Sequence, residues 1–323
     1  MRRVVCMELG PLENLVMEEV EPLLPAPHQV VVDVEAAGAT FVDALIAQGG
    51  YQLKPPTPYS PGGEVAGIVS AVGDEVDGVD VGDRVLAQCG VGGFASQVAV
   101  PASATVPVPD GVSPARAATM LQSYATAVFA LTHRILTQPG ETCLVLGAGG
   151  GVGLAAIDVA RALGLHTIAA ASTEDKLTAA KTAGAEMTID YTSEDLREVL
   201  RGLPDGGVDI VVDPVGGANA EKALRSLRPS GRYLTIGYAS GEIPSLPLNH
   251  VLLTNRAVVG VDWGAWAAHE PEANRTFVGE IVRMVADRKL CPPEPMTQPL
   301  EEASEVLQAF LDRRVVGKVA LVP

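Results

Sequence analysis

Residues 145–156 read VLGAGGGVGLAA, and four of the five positions from Gly149 to Gly153 are glycine. The stretch joins a short apolar run, TCLVLG (142–147), to GVGLAAIDVARALG (151–164), whose apolar residues recur at helical spacing. Strand, tight turn and helix start in that order make an anion site. The first helical N–H groups have no partner within the helix, and the positive end of the dipole faces outward. Glycine is needed where backbone approaches a pyrophosphate and where helix packs on strand. The strict G-x-G-x-x-G spacing is out of register here. The best fit is AGGGVG, with Ala148, Gly150 and Gly153 at the key positions and Gly151 and Val152 at the helix start. This reads as a dinucleotide loop; a plain glycine-rich turn or a methyltransferase-type nucleotide site are the alternatives.

The texture on either side supports that reading. HTIAAAS (166–172), EMTID (186–190), DIVVDPVG (209–216) and GRYLTIG (231–237) read as strands. EDKLTAAKTAG (174–184), DLREVLRGL (195–203) and ANAEKALRSL (218–227) read as the helices between them. Such alternation predicts a parallel sheet covered by helices, and right-handed crossovers make it an α/β doubly wound fold over 121–260. Residues 1–120 differ, with runs such as QVVVDVEAAG (29–38), EVAGIVSAVG (64–73) and GDRVLAQ (82–88). Turn residues punctuate them roughly every eight to twelve positions, which predicts an all-β, barrel-like unit. Over 261–323, helices are expected at 276–290 and 300–314, followed by a strand in GKVALVP that returns to the first unit.

Composition narrows the function classes. The formal net charge of -16 excludes a nucleic-acid partner, which needs a basic surface, and an anionic membrane surface. No run of about 18 apolar residues predicts a membrane helix. Cys6, Cys89, Cys143 and Cys291 are far apart, which fits neither a disulfide framework nor a zinc knuckle and suits a reduced, cytoplasmic setting.

The second strand decides between cofactors. A site that prefers NADH places an acid at its end to bind the ribose 2'-hydroxyl. Here that end is AAAST: Ala171 stands in the acid's place, followed by Ser172, Thr173 and, one helical turn on, Lys176. A lysine there pairs with a 2'-phosphate as a point charge, and Tyr191 is placed to close over it. The expectation is NADPH, with Glu174 and Asp175 as opposing charges.

TFVDALIAQGGY (40–51), SPGGEVAGIVSAVGDEVDGVDVGDRV (60–85), the glycine loop, DPVGG (213–217) and GKVAL (317–321) together resemble the medium-chain dehydrogenase/reductase superfamily. The nearest likeness is to its zinc-independent NADPH:quinone oxidoreductases. The resemblance implies a GroES-like β-barrel catalytic domain, a Rossmann domain, an active site in the cleft between them, and a homodimer, for which RAVVGVD (256–262) is the candidate pairing strand. The zinc-bearing branch has Cys where Thr40 stands and His where Gly63 stands, and four close cysteines where this chain has only Cys89. Zinc needs three or four ligands at once, so no metal is expected. Glu64 then becomes a buried structural acid.

Without a Lewis acid, the expected chemistry is hydride transfer to an electron-poor acceptor, a quinone or an α,β-unsaturated carbonyl. By resemblance Tyr51 is the leading proton donor, ahead of Tyr59 and Tyr124. Thr40 replaces a substrate-orienting asparagine, and Asp43 is expected to cap or brace the domain. Thr126, Gly237, Tyr238, Trp263 and Gly264 fall where the family approaches the nicotinamide, and Lys318 where a lysine reaches the cofactor. An enoyl-thioester reductase and a cofactor-binding structural protein with little turnover are the rival readings.

Overall fold

The computed structural model describes residues 1–323. The elements begin with β1 (Arg2–Cys6), β2 (Leu15–Glu19), β3 (Gln29–Ala39), α1 (Phe41–Ala47), β4 (Glu64–Val72), β5 (Arg84–Gln88), β6 (Gln97–Pro101), β7 (Thr105–Pro107) and α2 (Pro114–Val128). There follow β8 (Thr142–Leu146), α3 (Gly151–Ala162), β9 (His166–Ala171), α4 (Glu174–Thr182), β10 (Met187–Asp190), α5 (Leu196–Arg201), β11 (Val208–Asp213), α6 (Asn219–Arg225) and β12 (Leu227–Thr235). The chain continues with α7 (Asn249–Leu252), β13 (Ala257–Gly260), α8 (Trp263–His269), α9 (Pro271–Ala286), β14 (Met296–Pro299), α10 (Ala303–Leu311) and β15 (Val319–Val322).

Two compact units result. One comprises Met1–Gln122, Arg275–Ala286 and Pro292–Pro323; the other comprises Ser123–Asn274 and Asp287–Cys291. Residues 261–274, expected with the first unit, cluster with the second. Trp266 of α8 packs on Phe129 at a centroid distance of 5.1 Å, and the indole N–H of the buried Trp263 donates to Asn274 Oδ1 at 2.9 Å, which holds the segment's two ends together. Segment 287–291 stays there too, because the Cys291 N–H donates to the buried Asp158 Oδ2, which also accepts the Tyr124 hydroxyl.

The second unit is built on a six-stranded, all-parallel sheet in the order β10-β9-β8-β11-β12-β13. Chain order reverses between β8 and β11, the point at which such sheets bind ligands beyond their strand C-termini. The central strands are apolar almost throughout, as burial on both faces requires: Cys143 to Leu146 and Val208 to Asp213 leave only Asp209 partly exposed.

The first unit holds a mostly antiparallel sheet, β14-β15-β3-β4-β5-β7, with β6 also on β3. Only β14 and β15 run parallel. Its core interleaves Val30, Val32, Val65, Val69 and Val98 with Leu300, Leu307 and Leu321. Alternation along β3, with Asp33 and Glu35 out and Val32, Val34 and Ala36 in, is what a half-buried strand requires. The N-terminal stretch forms β1, paired antiparallel with β2.

Candidate functional site

In the second unit, loops after β8, β9, β11 and β12 converge at the C-terminal edge of the sheet. Gly147 turns the chain at φ +59°, and a Cβ there would lie 2.5 Å from Val215 Cγ2. The loop after β8 is therefore seated on the loop after β11. Ala148 is fully buried, its N–H held by the Ala170 carbonyl at 3.2 Å. A Cβ on Gly149 would lie 2.5 Å from Lys176 Cγ, so the lysine's aliphatic stem lies on the loop backbone. Gly150 occupies the N-cap of α3 and has no side chain to cap it. The first-turn N–H groups of Gly151, Val152 and Gly153 thus lack a side-chain acceptor and are offered to an anion. At Gly153 a Cβ would overlap the Gly147 carbonyl and approach Ala148 Cα to 2.8 Å.

These features fit a dinucleotide pyrophosphate: an uncapped helix start, beneath a loop in which Gly147, Gly149 and Gly153 leave no room for a Cβ. The adenosine side agrees. β9 ends at Ala171 with no carboxylate. Ser172 and Lys176 are half-buried, and Thr173 caps α4 by accepting the Lys176 N–H at 3.5 Å. Glu174 and Asp175 are exposed in the first turn of α4. Tyr191 is fixed by its N–H to the Ala171 carbonyl at 3.2 Å and packs partly on the core.

Asp213 organises the far side, a role that sequence reasoning missed. This carboxylate at the end of β11 accepts the N–H groups of Val215 (2.8 Å) and Gly216 (2.9 Å) on Oδ1 and the buried Tyr233 hydroxyl on Oδ2. It so shapes the turn that seats Gly147. The DPVGG segment carried the signal, an acid closing an apolar strand ahead of two glycines. Gly237 follows β12 with its N–H toward the Asp213 carbonyl, and Tyr238 is exposed beside Thr235 Oγ1. Thr126 is half-buried in α2, and Gly264 is exposed at the start of α8. Trp263 itself turns inward, while Trp266 packs in tilted contacts against Phe129 and His133 at centroid distances of 5.1 and 5.8 Å.

The first unit gathers a second set of groups. Thr40 ends β3 and caps α1. Its N–H and hydroxyl both donate to Asp43 Oδ2, at 2.9 and 2.6 Å, and the Asp43 N–H returns to Thr40 Oγ1 at 3.2 Å. This reciprocal capping box is the bracing role expected for Asp43. Asp43 is only 4% exposed, and burial pushes its carboxyl up to about 6, against the hydrogen bonds from Thr40 and Gly62.

Glu64 is equally buried. Its Oε2 accepts the Gln122 N–H at 3.0 Å, and its Oε1 has no partner. Burial pushes this carboxyl up to about 7, against the pull of Lys318. Lys318, expected at the cofactor, is buried in the field of Glu64 and Asp43, and burial lowers its pKa. Gly38 keeps the enclosure tight: a Cβ there would reach 2.9 Å from Glu64 Cγ and overlap the Ala118 carbonyl. Tyr59 is buried beside Cys6. Tyr51 is half-buried against the apolar core. No group of three or more His, Cys, Asp or Glu side chains is arranged to hold a metal ion, and no helix is long and apolar enough to cross a membrane.

Comparison with known proteins agrees with this architecture. Residues 26–110 match the alcohol dehydrogenase GroES-like domain, and residues 151–279 match the zinc-binding dehydrogenase family. The quinone oxidoreductase-like protein 2 homolog of Nematostella vectensis is 37% identical, over 99% of this chain and 88% of its own length. Escherichia coli quinone oxidoreductase, solved in complex with NADPH, superposes with a TM-score of 0.89 at 29% identity, covering 100% of each chain. The CurK enoyl reductase superposes with a TM-score of 0.89 at 26% identity, over 99% of this chain and 98% of its own.

Proposed function

The chain belongs to the medium-chain dehydrogenase/reductase family, and from that premise we propose an NADPH-dependent, zinc-independent oxidoreductase that reduces quinones or α,β-unsaturated carbonyls. The observation that carries the reading is the packing of Lys176 on Gly149, above an uncapped α3 and beside a β9 that ends without an acid. Bound reduced nicotinamide supplies a hydride at C4; the protein supplies position.

The N–H groups of Gly151, Val152 and Gly153 hold the pyrophosphate, with Ala148 and Gly150 shaping the approach. Ser172, Lys176 and Tyr191 hold the 2'-phosphate. Thr126, Gly237, Tyr238, Trp263 and Gly264 flank the nicotinamide end, with Trp263 acting as a packed wall. On the acceptor side, the hydroxyls of Thr40 and Tyr51 are the two groups available to orient the acceptor and to supply its proton. Thr40 and Gly63, standing where a zinc enzyme would carry ligands, support metal-free chemistry. The four free cysteines suit a reducing, cytoplasmic setting.

Lys176→Ala is expected to weaken NADPH binding about tenfold to a hundredfold, the worth of a charge-assisted contact, and to leave NADH binding unchanged. Titration calorimetry with both cofactors checks this. An unchanged preference sinks the 2'-phosphate assignment. The activity is tested by steady-state NADPH oxidation against quinones, enones and enoyl thioesters. Turnover with enoyl thioesters alone supports the second reading, favoured by the CurK likeness. Tight NADPH binding without turnover overturns the enzyme reading.

We further propose a homodimer through β13. It lies at the edge of the six-stranded sheet, paired only with β12, and its Val258 is 39% exposed. A second copy would satisfy that edge. Light scattering that shows only monomer would exclude it.

A further inference from the structure

Given the reading above, an acceptor that has taken up a hydride carries an oxyanion and needs one proton. Tyr51 packs against apolar core. Thr40 offers a better-defined route, because its hydroxyl is held from both sides by one residue. A threonine hydroxyl has one donor and two acceptor positions. When Asp43 is ionised, the hydroxyl hydrogen points to Oδ2 and one lone pair takes the Asp43 N–H, as the 2.6 and 3.2 Å distances describe. When Asp43 is protonated, its O–H can fill the second lone pair, and the threonine hydrogen is turned away from the carboxyl. The two arrangements differ only in where one proton sits.

We propose that Thr40 and Asp43 form a proton relay, in which the Thr40 hydroxyl protonates the reduced acceptor and is refilled from the Asp43 carboxyl. The Thr40 O–H bond breaks as the acceptor O–H or C–H bond forms. The Asp43 O–H bond breaks as a new Thr40 O–H bond forms. After product leaves, the Thr40 hydroxyl passes its proton to the Asp43 carboxylate and takes a proton from solvent in return, which restores both groups. The two electrons come from the reduced dinucleotide.

Exposure supports the division of labour. Asp43 is buried and cannot itself meet a substrate, whereas Thr40 is half-exposed at the end of β3. An exposed acid would have served as a cap alone. This one lies in a polar enclosure set in the core. Glu64 faces it from β4, Lys318 from the segment before β15, Tyr59 from the segment before β4, and Cys89 from the end of β5. Two polar atoms in that enclosure, Glu64 Oε1 and the Tyr59 hydroxyl, have no hydrogen-bond partner. Burial places the Asp43 carboxyl near neutrality, so that it can hold and release a proton in the working range.

The test compares Thr40→Val, which keeps the shape but removes the hydroxyl and with it the cap oxygen that accepts the Asp43 N–H, with Thr40→Ser, which keeps both. Thermal melting of each variant separates lost capping from lost chemistry. Asp43→Asn keeps the Asp43 N–H on Thr40 Oγ1 but puts an amide in place of the carboxyl, so the Thr40 pair isolates the hydroxyl more directly. With NADPH and an acceptor that the wild type reduces, Thr40→Val is expected to lose about a hundredfold in kcat. It should also lose the solvent isotope effect and the decline in rate as pH rises through about 6. NADPH affinity should be unchanged, and Thr40→Ser should restore all three kinetic features.

In the protein without cofactor, infrared titration of the carboxyl band gives an independent readout. Thr40→Val should raise the Asp43 midpoint, since the carboxylate loses a donor, and Thr40→Ser should not. A Thr40→Val variant with the wild-type isotope effect and pH profile overturns the relay and leaves the oxidoreductase reading standing. An unmoved Asp43 midpoint overturns the coupling. A wild type that reduces no acceptor removes both.

Discussion

Replacing Lys318 by Met is expected to cost little stability in acid and about 3 kcal/mol above neutral pH. The reason lies in its buried partner. The Glu64 carboxyl is pushed from 4.5 to about 7 in the folded protein. Below the lower value, folded and unfolded chains both hold the proton. Between the two values the unfolded chain releases it while the folded chain keeps it. The unfolded state then binds fewer protons, so the Glu64 contribution to stability falls as pH rises through that window. Lys318 limits the fall by attracting the carboxylate.

Without the lysine, the folded pKa of Glu64 moves higher and the window extends upward. The cost of Lys318→Met therefore grows with pH. Glu64→Gln removes the titrating group and should flatten the difference. The double variant should recover stability, because neither member is left charged and unpaired in the core. Urea unfolding followed by circular dichroism at a series of pH values measures all three. A Lys318→Met cost that does not vary with pH would refute the pairing. An unchanged stability with weakened NADPH binding would return Lys318 to the cofactor.

Gly153→Ala carries the second large effect. The added carbon would overlap the Gly147 carbonyl and lie 2.8 Å from Ala148 Cα. Both obstacles are backbone, so no rotamer change relieves them. Helix α3 must shift away from the loop, carrying its first-turn N–H groups with it. Overpacking of this kind costs about 1–3 kcal/mol. Nucleotide affinity should fall more than a hundredfold, if two or three charge-assisted contacts are lost. Gly279→Ala is the control: nothing lies within 4 Å of its Cβ, and it sits inside α9. That variant should be neutral or gain about 0.5–1 kcal/mol through helix propensity, with unchanged NADPH binding. Differential scanning calorimetry and fluorescence titration distinguish the pair. A Gly153→Ala protein that binds NADPH normally would mean that α3 does not form the phosphate cradle.

The doubly wound unit was legible because parallel strands must be apolar on both faces. Runs such as TCLVL and DIVVD stand out between amphipathic helices. The glycine loop was legible for a related reason: where backbone meets backbone, only one residue type fits. The return strand in GKVALVP was readable too, as β15 beside β3.

Other features had no local signal. Glu64 and Lys318 lie on distant parts of the chain, and nothing in GKVAL distinguishes a lysine facing a buried acid from one facing a ligand. Nothing in the sequence around Trp263 marks it as buried, because its partner, Asn274, lies a helix away. The full extent of α9 was hidden in the same way: the expected start at 276 missed a first turn opened by Pro271. Asp213 was visible as a motif but not as a role, since its work depends on Tyr233, from the neighbouring strand.

The placement of β15 also has a consequence for biosynthesis. The strand pairs with β3 from the opposite end of the chain, Val319 against Ala39 and Leu321 against Ala37. The six strands of the parallel sheet are all made earlier, from residues 142–260. During vectorial synthesis the second unit therefore has its whole sheet before the first can close its own. Until residues 319–322 have been made, part of β3 presents unpaired backbone groups of the kind that recruit other strands. In the nascent chain the parallel sheet can be complete while the Ala37–Ala39 end of β3 still lacks its last partner.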